Sequence, residues 1–277
     1  MAEDERVVVV TGASSGIGLA AATEFARRGD RVALVGRDQG RLDAALATVR
    51  RAASGPDPAV FRGDFAVFDE VRSLADALRA AYPRIDVLAN NAGGLVSRRS
   101  STVDGYESTI QTNHLGPFLL SHLLRDRIAG GRMVVTASGA HQAGRLDAAD
   151  LNAEGQRYLP FRAYGSAKQA NILFAAEAAR RWADVLSVSY HPGTVRTRFG
   201  NDSAVVGWYI RVAPWLRSAA KGAETLLWLA DVPAGELVDG GYYMDRRLRQ
   251  PARHAADPDL AARLWEASAK AVGVTTS

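Results

Sequence analysis

Cysteine is absent from all 277 residues. That excludes disulfides, thiolate metal sites and a cysteine nucleophile, and it removes one mark of secretion. Histidine is scarce: His114, His122, His141, His191 and His254 form no H-E-x-x-H or similar cluster, so no metal centre is expected. No uncharged apolar stretch is long enough to cross a bilayer. The N-terminus, MAEDERVVVV, is acidic where a signal peptide is basic, and it lacks a long apolar core. A cytoplasmic protein without a membrane span is the expectation. Lysine is also rare, with three against 31 arginines. The net charge of +4 comes from dispersed arginines. Their densest groups, Arg98–Arg99 and Arg246, Arg247 and Arg249, are short, which argues for solvated surface and against a nucleic-acid partner.

What is present alternates. Short apolar runs at Val7–Val10, Arg31–Val35, Ala59–Arg62, Ile85–Ala89, Arg132–Ala137 and Val185–Tyr190 read as strands. Helix-like segments separate them: Ile17–Arg28, Gln39–Ala52, Val67–Ala81, a long one over Asp104–Ile128, and Arg162–Trp182. A further helix fits Ala219–Leu229, and ELVDGGYYM suggests a last strand. This order predicts an α/β chain with a single doubly wound, Rossmann-type parallel sheet and helices on both faces. No repeat or linker divides it, so residues 1–277 form one domain.

Between the first strand and the first helix stands VVVVTGASSGIG, with Gly12, Gly16 and Gly18 spaced T-G-x-x-x-G-x-G. A dinucleotide needs this chemistry: a sharp turn, close backbone approach to the pyrophosphate, and a helix N-terminus aimed at its charge. Gly12, Ser14, Ser15, Gly16, Ile17 and Gly18 are therefore the candidate cradle. Further on, AYGSAKQAN places Tyr164 four residues before Lys168, on one helical face.

These residues, with Asp64 in RGDFA, NNAG at Asn90–Gly93, Asn113 in TNHLGPF, Ser138 after the fifth strand and HPGTVRT at His191–Thr197, occur in the order of a known family. The chain resembles the short-chain dehydrogenase/reductase family, in its retinol-dehydrogenase-like or WW-domain-oxidoreductase-like branch. The resemblance implies an oxidoreductase with Tyr164 as general acid/base and Ser138 orienting the substrate oxygen. Lys168 would hold the nicotinamide ribose, and Asn113 a water linking the lysine to solvent. It implies cofactor contacts from Asp64 (to the adenine amino group), Asn90, Ala92, Gly93, Pro192, Gly193, Val195 and Thr197. Ser138 precedes Tyr164 by 26 residues, longer than the family commonly shows. Residues 139–161 read as an insertion beside the site, of a kind that the named branch carries.

The second strand ends ALVGRD. Gly36 stands where an acidic residue would meet a free ribose 2′-hydroxyl. Arg37 follows and can pair with a 2′-phosphate. Asp38 reads more simply as a helix N-cap. The expected cofactor is NADP(H) rather than NAD(H).

Free tyrosine titrates near pH 10, too high for efficient proton transfer at neutral pH. A nearby lysine ammonium favours the phenolate, so Lys168 is expected to lower the pKa of Tyr164. Ser166 is a rival to Ser138 but points off Tyr164's face. His141 and His191 are weaker candidate bases. Residues 194–218 read as a substrate flap; within them SAVVGWYIRVAPWLR fits a lid over a lipophilic substrate, an interface or core equally well. The expected partner is a small-molecule carbonyl or alcohol, and the resemblance implies a homodimer or homotetramer through the two long helices. A dinucleotide-binding regulatory or scaffold protein, and a C=C reductase, stand as alternatives.

Overall fold

The computed structural model describes residues 5–195 and 216–275. Eight strands form one sheet in the order β3-β2-β1-β4-β5-β6-β7-β8. They are β1 (Val7–Thr11), β2 (Arg31–Gly36), β3 (Ala59–Arg62), β4 (Val87–Asn90), β5 (Arg132–Thr136), β6 (Leu186–His191), β7 (Tyr242–Met244) and β8 (Arg247–Arg249). The chain reverses its direction of winding between β1 and β4, which opens a crevice at their C-terminal ends.

β1 is buried along its whole length, so its VVVVT run has no polar alternation. The two-residue period shows instead in which core each side chain joins. Val7 and Val9 of β1, Ala33 and Val35 of β2, and Met133 and Val135 of β5 face one layer. Val8, Val10, Val32, Leu34 and Val134 face the other. The first layer is covered by α3 (Phe68–Ala81), α5 (Gly116–Leu123) and α6 (Pro160–Arg181). The second is covered by α1 (Gly16–Arg27), α2 (Gln39–Ala52) and α7 (Ala219–Asp231). The doubly wound expectation holds.

Three details correct the sequence reading. The long helix expected over Asp104–Ile128 is shorter and broken in register. It starts as α4 (Ser108–Ile110), widens into a π turn over Gln111–Leu115, and continues as α5. Glu107 caps its start by accepting from the Thr109 and Ile110 amides. Pro117 has no N–H for the carbonyl four residues back, and the Gly116 amide donates instead to Gln111, five residues back. Second, the sheet is not wholly parallel. β8 returns antiparallel to β7 through Asp245 and Arg246, both at positive φ, because two residues are too few for a crossover.

Third, a C-terminal helix is present that periodicity left unassigned: α8 (Pro258–Val272). Its signals are local, with Asp257 as N-cap, Pro258 in the first turn and Gly273 at φ 67° closing it. It drives Trp265 into a cluster with Phe118, Phe174, Trp182 and His122, ring centroids 4.8–5.9 Å apart. Helix α8 therefore covers α5 and α6 on the side away from the sheet. A second copy pairing through those helices at this place would have to displace it.

Two histidines are buried beside this cluster. His114 is fully inaccessible, with Nε2 2.9 Å from Ser268 Oγ. His122 bonds the Phe118 carbonyl through Nδ1 at 3.1 Å. Burial pulls both down to about 4, because a charged imidazole is poorly solvated there. The unfolded chain therefore binds more protons than the native one between roughly pH 6.5 and 4. Stability is at its full value above that window and falls as pH drops through it. Each histidine is expected to cost roughly 2 kcal/mol at pH 5 relative to pH 7. Urea unfolding at the two pH values checks this: His122→Gln should shrink the difference, and an unchanged difference would remove His122 from the account.

Candidate active site

The crevice begins at Thr11. Its Oγ1 donates to the Ala89 carbonyl at 3.1 Å and accepts the amides of Asn91 and Ala92, each at 2.9 Å. Asn91 Nδ2 donates back to the Thr11 carbonyl at 2.9 Å. The ends of β1 and β4 are thus locked together. Against this lock the glycines need to be glycines. Gly12 is at φ 68°, and a Cβ there would lie 2.9 Å from Ala92 Cα. At Gly18 a Cβ would run into the Gly12 carbonyl and stand 2.7 Å from Asn91 Nδ2. Ser15 caps α1 in extended conformation without a side-chain bond, and no acidic residue occupies the first turn. That leaves the helix-start amides and their positive end for an anion. These residues fit a dinucleotide pyrophosphate.

Ile17 and Val195 meet over Gly222, where a Cβ would lie 3.1 Å from Ile17 Cγ1 and 2.7 Å from Val195 Cγ2. Val195 bridges to Arg217, whose amide donates to the Thr194 carbonyl at 2.8 Å. Arg217 packs against Gly193 and pairs with Asp245. Pro192 is buried beside them. The base of the expected flap is therefore pinned, while Thr197 and residues 196–215 lie outside the described residues.

At the end of β2, a Cβ on Gly36 would lie 3.1 Å from Leu42 and 3.6 Å from Ser14. Arg37 next to it is exposed. Asp38 is an N-cap, accepting from the Arg41 amide at 2.8 Å. Asp64, after β3, accepts the Ala66 amide at 2.9 Å. Asn90 turns away from the cradle: its Nδ2 donates to Ser121 on α5 at 2.8 Å. Its neighbour Asn91 lies against the glycine turn instead. Sequence reasoning missed Thr11 and Asn91, although both stand inside quoted motifs.

Asn113 lies in the π turn, fully buried. Its Oδ1 accepts the Gly94 amide and its Nδ2 donates to the Gly94 and Thr109 carbonyls, all at 2.9 Å. It holds the loop after β4. Gly93 in that loop is at φ 144°, and a Cβ there would lie 3.3 Å from Lys168 Nζ.

Ser138, Tyr164 and Lys168 converge where β5 ends. The Ser138 side chain is near enough to the Tyr164 hydroxyl to favour its ionised form. Ser138 Oγ also accepts the Ala140 amide at 3.2 Å, capping the 3-10 turn Gly139–Ala143. Lys168 Nζ donates to the Thr136 carbonyl at 3.1 Å, beside Asn171 Nδ2 at 3.0 Å. It stands 5.5 Å from the Tyr164 ring centroid. Ser166 is spent elsewhere, accepting the Arg145 amide at 2.9 Å. His191 reaches Gly139, where a Cβ would lie 3.3 Å from its Nε2. Burial, with Arg217 nearby, lowers it to about 4.

The expected direction of Tyr164's shift is reversed in the protein alone. Burial pushes its hydroxyl well above the ordinary value, with only the Ser138 side chain acting against this. The same burial pulls Lys168 down to about 7. Loss of water outweighs a cation 5.5 Å from the ring centroid, because the lysine's own charge is disfavoured there.

Residues 145–159 fold over the segment after β4. Tyr158 hydroxyl donates to Val96 O at 2.8 Å, and Arg99 donates to the Asn152 carbonyl at 2.9 Å. A cleft between this insertion and α6 is lined by apolar Ile110, Leu151 and Ala163 and by charged Glu107, Arg145 and Asp150. No helix among the described residues is long and apolar enough to cross a membrane.

Comparison with known proteins shows the family and the fold. The family model for short chain dehydrogenases matches residues 6–204. The chain is 58% identical over 270 residues to the proposed daunorubicin C-13 ketoreductase DnrU of Streptomyces sp. (strain C5), covering 98% of this chain and 93% of that one. It is 34% identical to human retinol dehydrogenase 12, covering 97% and 87%. Among solved structures, an uncharacterised protein from Mycobacterium Paratuberculosis superposes with a TM-score of 0.81 at 34% identity, covering 98% and 95%. A Sphingobium yanoikuyae short-chain dehydrogenase in complex with NADPH gives 0.65 at 25%, covering 80% and 82%. A glycine cradle at the β1/β4 crevice, a Ser–Tyr–Lys group at the end of β5 and a family match over most of the chain lead to one conclusion: this protein belongs to the short-chain dehydrogenase family, oxidoreductases that use a nicotinamide dinucleotide to interconvert carbonyl and alcohol groups.

Proposed function

We propose that this chain is an NADP(H)-dependent ketoreductase acting on a lipophilic, polycyclic carbonyl compound. The observation that carries the reading is the gathering of Ser138, Tyr164 and Lys168 at the end of β5, with Lys168 Nζ 5.5 Å from the Tyr164 ring centroid, beside the glycine cradle. The similarity to a proposed daunorubicin ketoreductase supports a polycyclic ketone. When bound, the dinucleotide supplies the hydride, and its oxidised ring brings a positive charge.

The residues supply the rest. Ser138 Oγ and the Tyr164 hydroxyl orient the carbonyl oxygen, and Tyr164 delivers the proton to it as the carbon is reduced. In the reverse direction Tyr164 takes that proton back. Lys168, near 7, exchanges protonation state at neutral pH, and it would hold the nicotinamide ribose. Asn113 fixes Gly93 and Gly94, so the backbone beside Lys168 keeps its place. Gly12, Ser14, Ser15, Gly16, Ile17 and Gly18 cradle the pyrophosphate, and Ala92, Val195 and Pro192 flank it. Asp64 is assigned to the adenine end. The segment that follows Val195 is assigned to the substrate side, and the cytoplasm is the enzyme's place of work.

Gly36 offers no acid to a ribose 2′-hydroxyl, whereas exposed Arg37 and nearby Ser14 suit a 2′-phosphate. Arg37→Ala is expected to weaken NADPH about 10- to 100-fold and NADH by less than about twofold, by loss of a charge-assisted contact. Equal weakening of both would take Arg37 out of the 2′-phosphate site. The test of the whole reading is a titration of the protein with NADPH and NADH by nicotinamide fluorescence, then NADPH oxidation with polycyclic ketones including daunorubicin. Selective NADPH binding with turnover is expected. Binding of neither dinucleotide would favour a non-catalytic protein, and turnover only with conjugated C=C substrates a different reductase.

A further inference from the structure

The turn that follows Ser138 carries a histidine with both ring nitrogens engaged. His141 is 2% exposed. Its Nδ1 lies 2.7 Å from the Ser138 carbonyl oxygen, which also accepts the His141 amide at 3.1 Å. Its Nε2 accepts the Ala252 amide at 3.1 Å. A carbonyl only accepts and an amide N–H only donates, so one neutral tautomer satisfies both: Nδ1 carries the proton and Nε2 is bare. Burial and the neighbouring His254 hold the ring below its usual pKa, in its neutral form.

The surroundings fix the ring further. Tyr242 of β7 packs edge-on at 5.3 Å and 68°. His254 Nε2 lies 2.9 Å from the His141 carbonyl. Gln169, the residue after Lys168, donates to the His254 carbonyl at 2.9 Å and accepts the Leu146 amide at 3.1 Å. One ring therefore joins the segment after β8 to the backbone of the residue that meets the Tyr164 hydroxyl.

We propose that His141 is a positioning residue for the reaction: its Nδ1–H anchors the Ser138 carbonyl and so aims Ser138 Oγ at Tyr164, and the Ala252 N–H selects the tautomer that makes this bond. The inference rests on the reading of Ser138 and Tyr164 as catalytic. Such a residue touches neither substrate nor dinucleotide, so its loss shows in kcat rather than in binding.

Three variants separate this role from simple packing. His141→Phe keeps the volume and the Tyr242 contact but loses both bonds. His141→Asn keeps a donor near the Nδ1 position. Ala252→Pro keeps the φ of −56° and removes the N–H, its ring carbon taking the place of the hydrogen beside His141 Nε2. With the best ketone of the panel above, Phe is expected to lower kcat about 10- to 100-fold, while KM and the NADPH Kd stay within about twofold. Asn recovers most of the loss, and Ala252→Pro falls between. Independently of activity, the imidazole ¹⁵N spectrum should show His141 as the Nδ1–H tautomer in the wild type and as a mixture in Ala252→Pro. Wild-type kcat in His141→Phe, no recovery by Asn, or an Nε2–H tautomer in the wild type each overturns the proposal. If Phe fails to fold, the Asn and Pro variants and the spectrum still decide. Active Ser138→Ala and Tyr164→Phe enzymes would instead sink the proposed function. A flat His141 series beside inactive forms of those two would sink only this inference.

Discussion

Tyr164→Phe is expected to lower turnover by at least about 1000-fold while leaving NADPH affinity within about twofold, since a positioned general acid is worth about 10² to 10⁴ and nothing replaces it here. The change removes one oxygen from a ring 8% exposed, so the fold survives. Ser138 Oγ keeps the Ala140 amide. Lys168 stays bonded to the Thr136 carbonyl and is untouched by the change. The check is single-turnover NADPH oxidation beside a fluorescence titration. Unchanged turnover would remove the tyrosine from the chemistry and leave Ser138 and Lys168 as the groups to test.

The second large effect is on stability. Trp265→Ala is expected to cost about 3–5 kcal/mol, a large part of the about 5–15 kcal/mol that holds a domain folded. Trp265 is 1% exposed and wedged among Phe118, Phe174, Trp182 and His122, with the Arg181 guanidinium 5.1 Å from its ring centroid. Its Nε1 has no hydrogen-bond partner. Phenylalanine would remove that stranded donor as well as volume, so Trp265→Phe is expected to cost clearly less than alanine. Urea unfolding of both variants measures the pair. A loss below about 1 kcal/mol for alanine would mean that α8 is not held by this cluster. Because α8 covers α5 and α6, its loosening should also expose apolar surface, seen as dye binding or self-association.

Much of this protein is legible from its residues in order. The alternation of apolar runs with amphipathic segments specifies strands and helices, because side-chain period follows from backbone geometry alone. The placing of Gly12, Gly16 and Gly18 between a strand and a helix marks the anion cradle, because only glycine tolerates that approach. The spacing of Tyr164 and Lys168 puts them on one helical face, and the family resemblance of the motifs around them singles the pair out. Each of these signals is local in the chain.

What the sequence leaves open depends on partners far apart in it. The Thr11–Asn91 lock joins residues 80 positions apart and leaves no local pattern. Only contact with α5 and α6 shows that α8 covers them, because a surface helix and a buried one share the same amphipathic stripe. The π turn at Asn113 needed the whole helix, since Pro117 breaks its ladder and Gly94 rewards the new register. The state of the Tyr–Lys pair was decided by burial. Spacing said that the two groups would meet, but only the packed site shows that removing water governs them both, lifting the tyrosine and lowering the lysine.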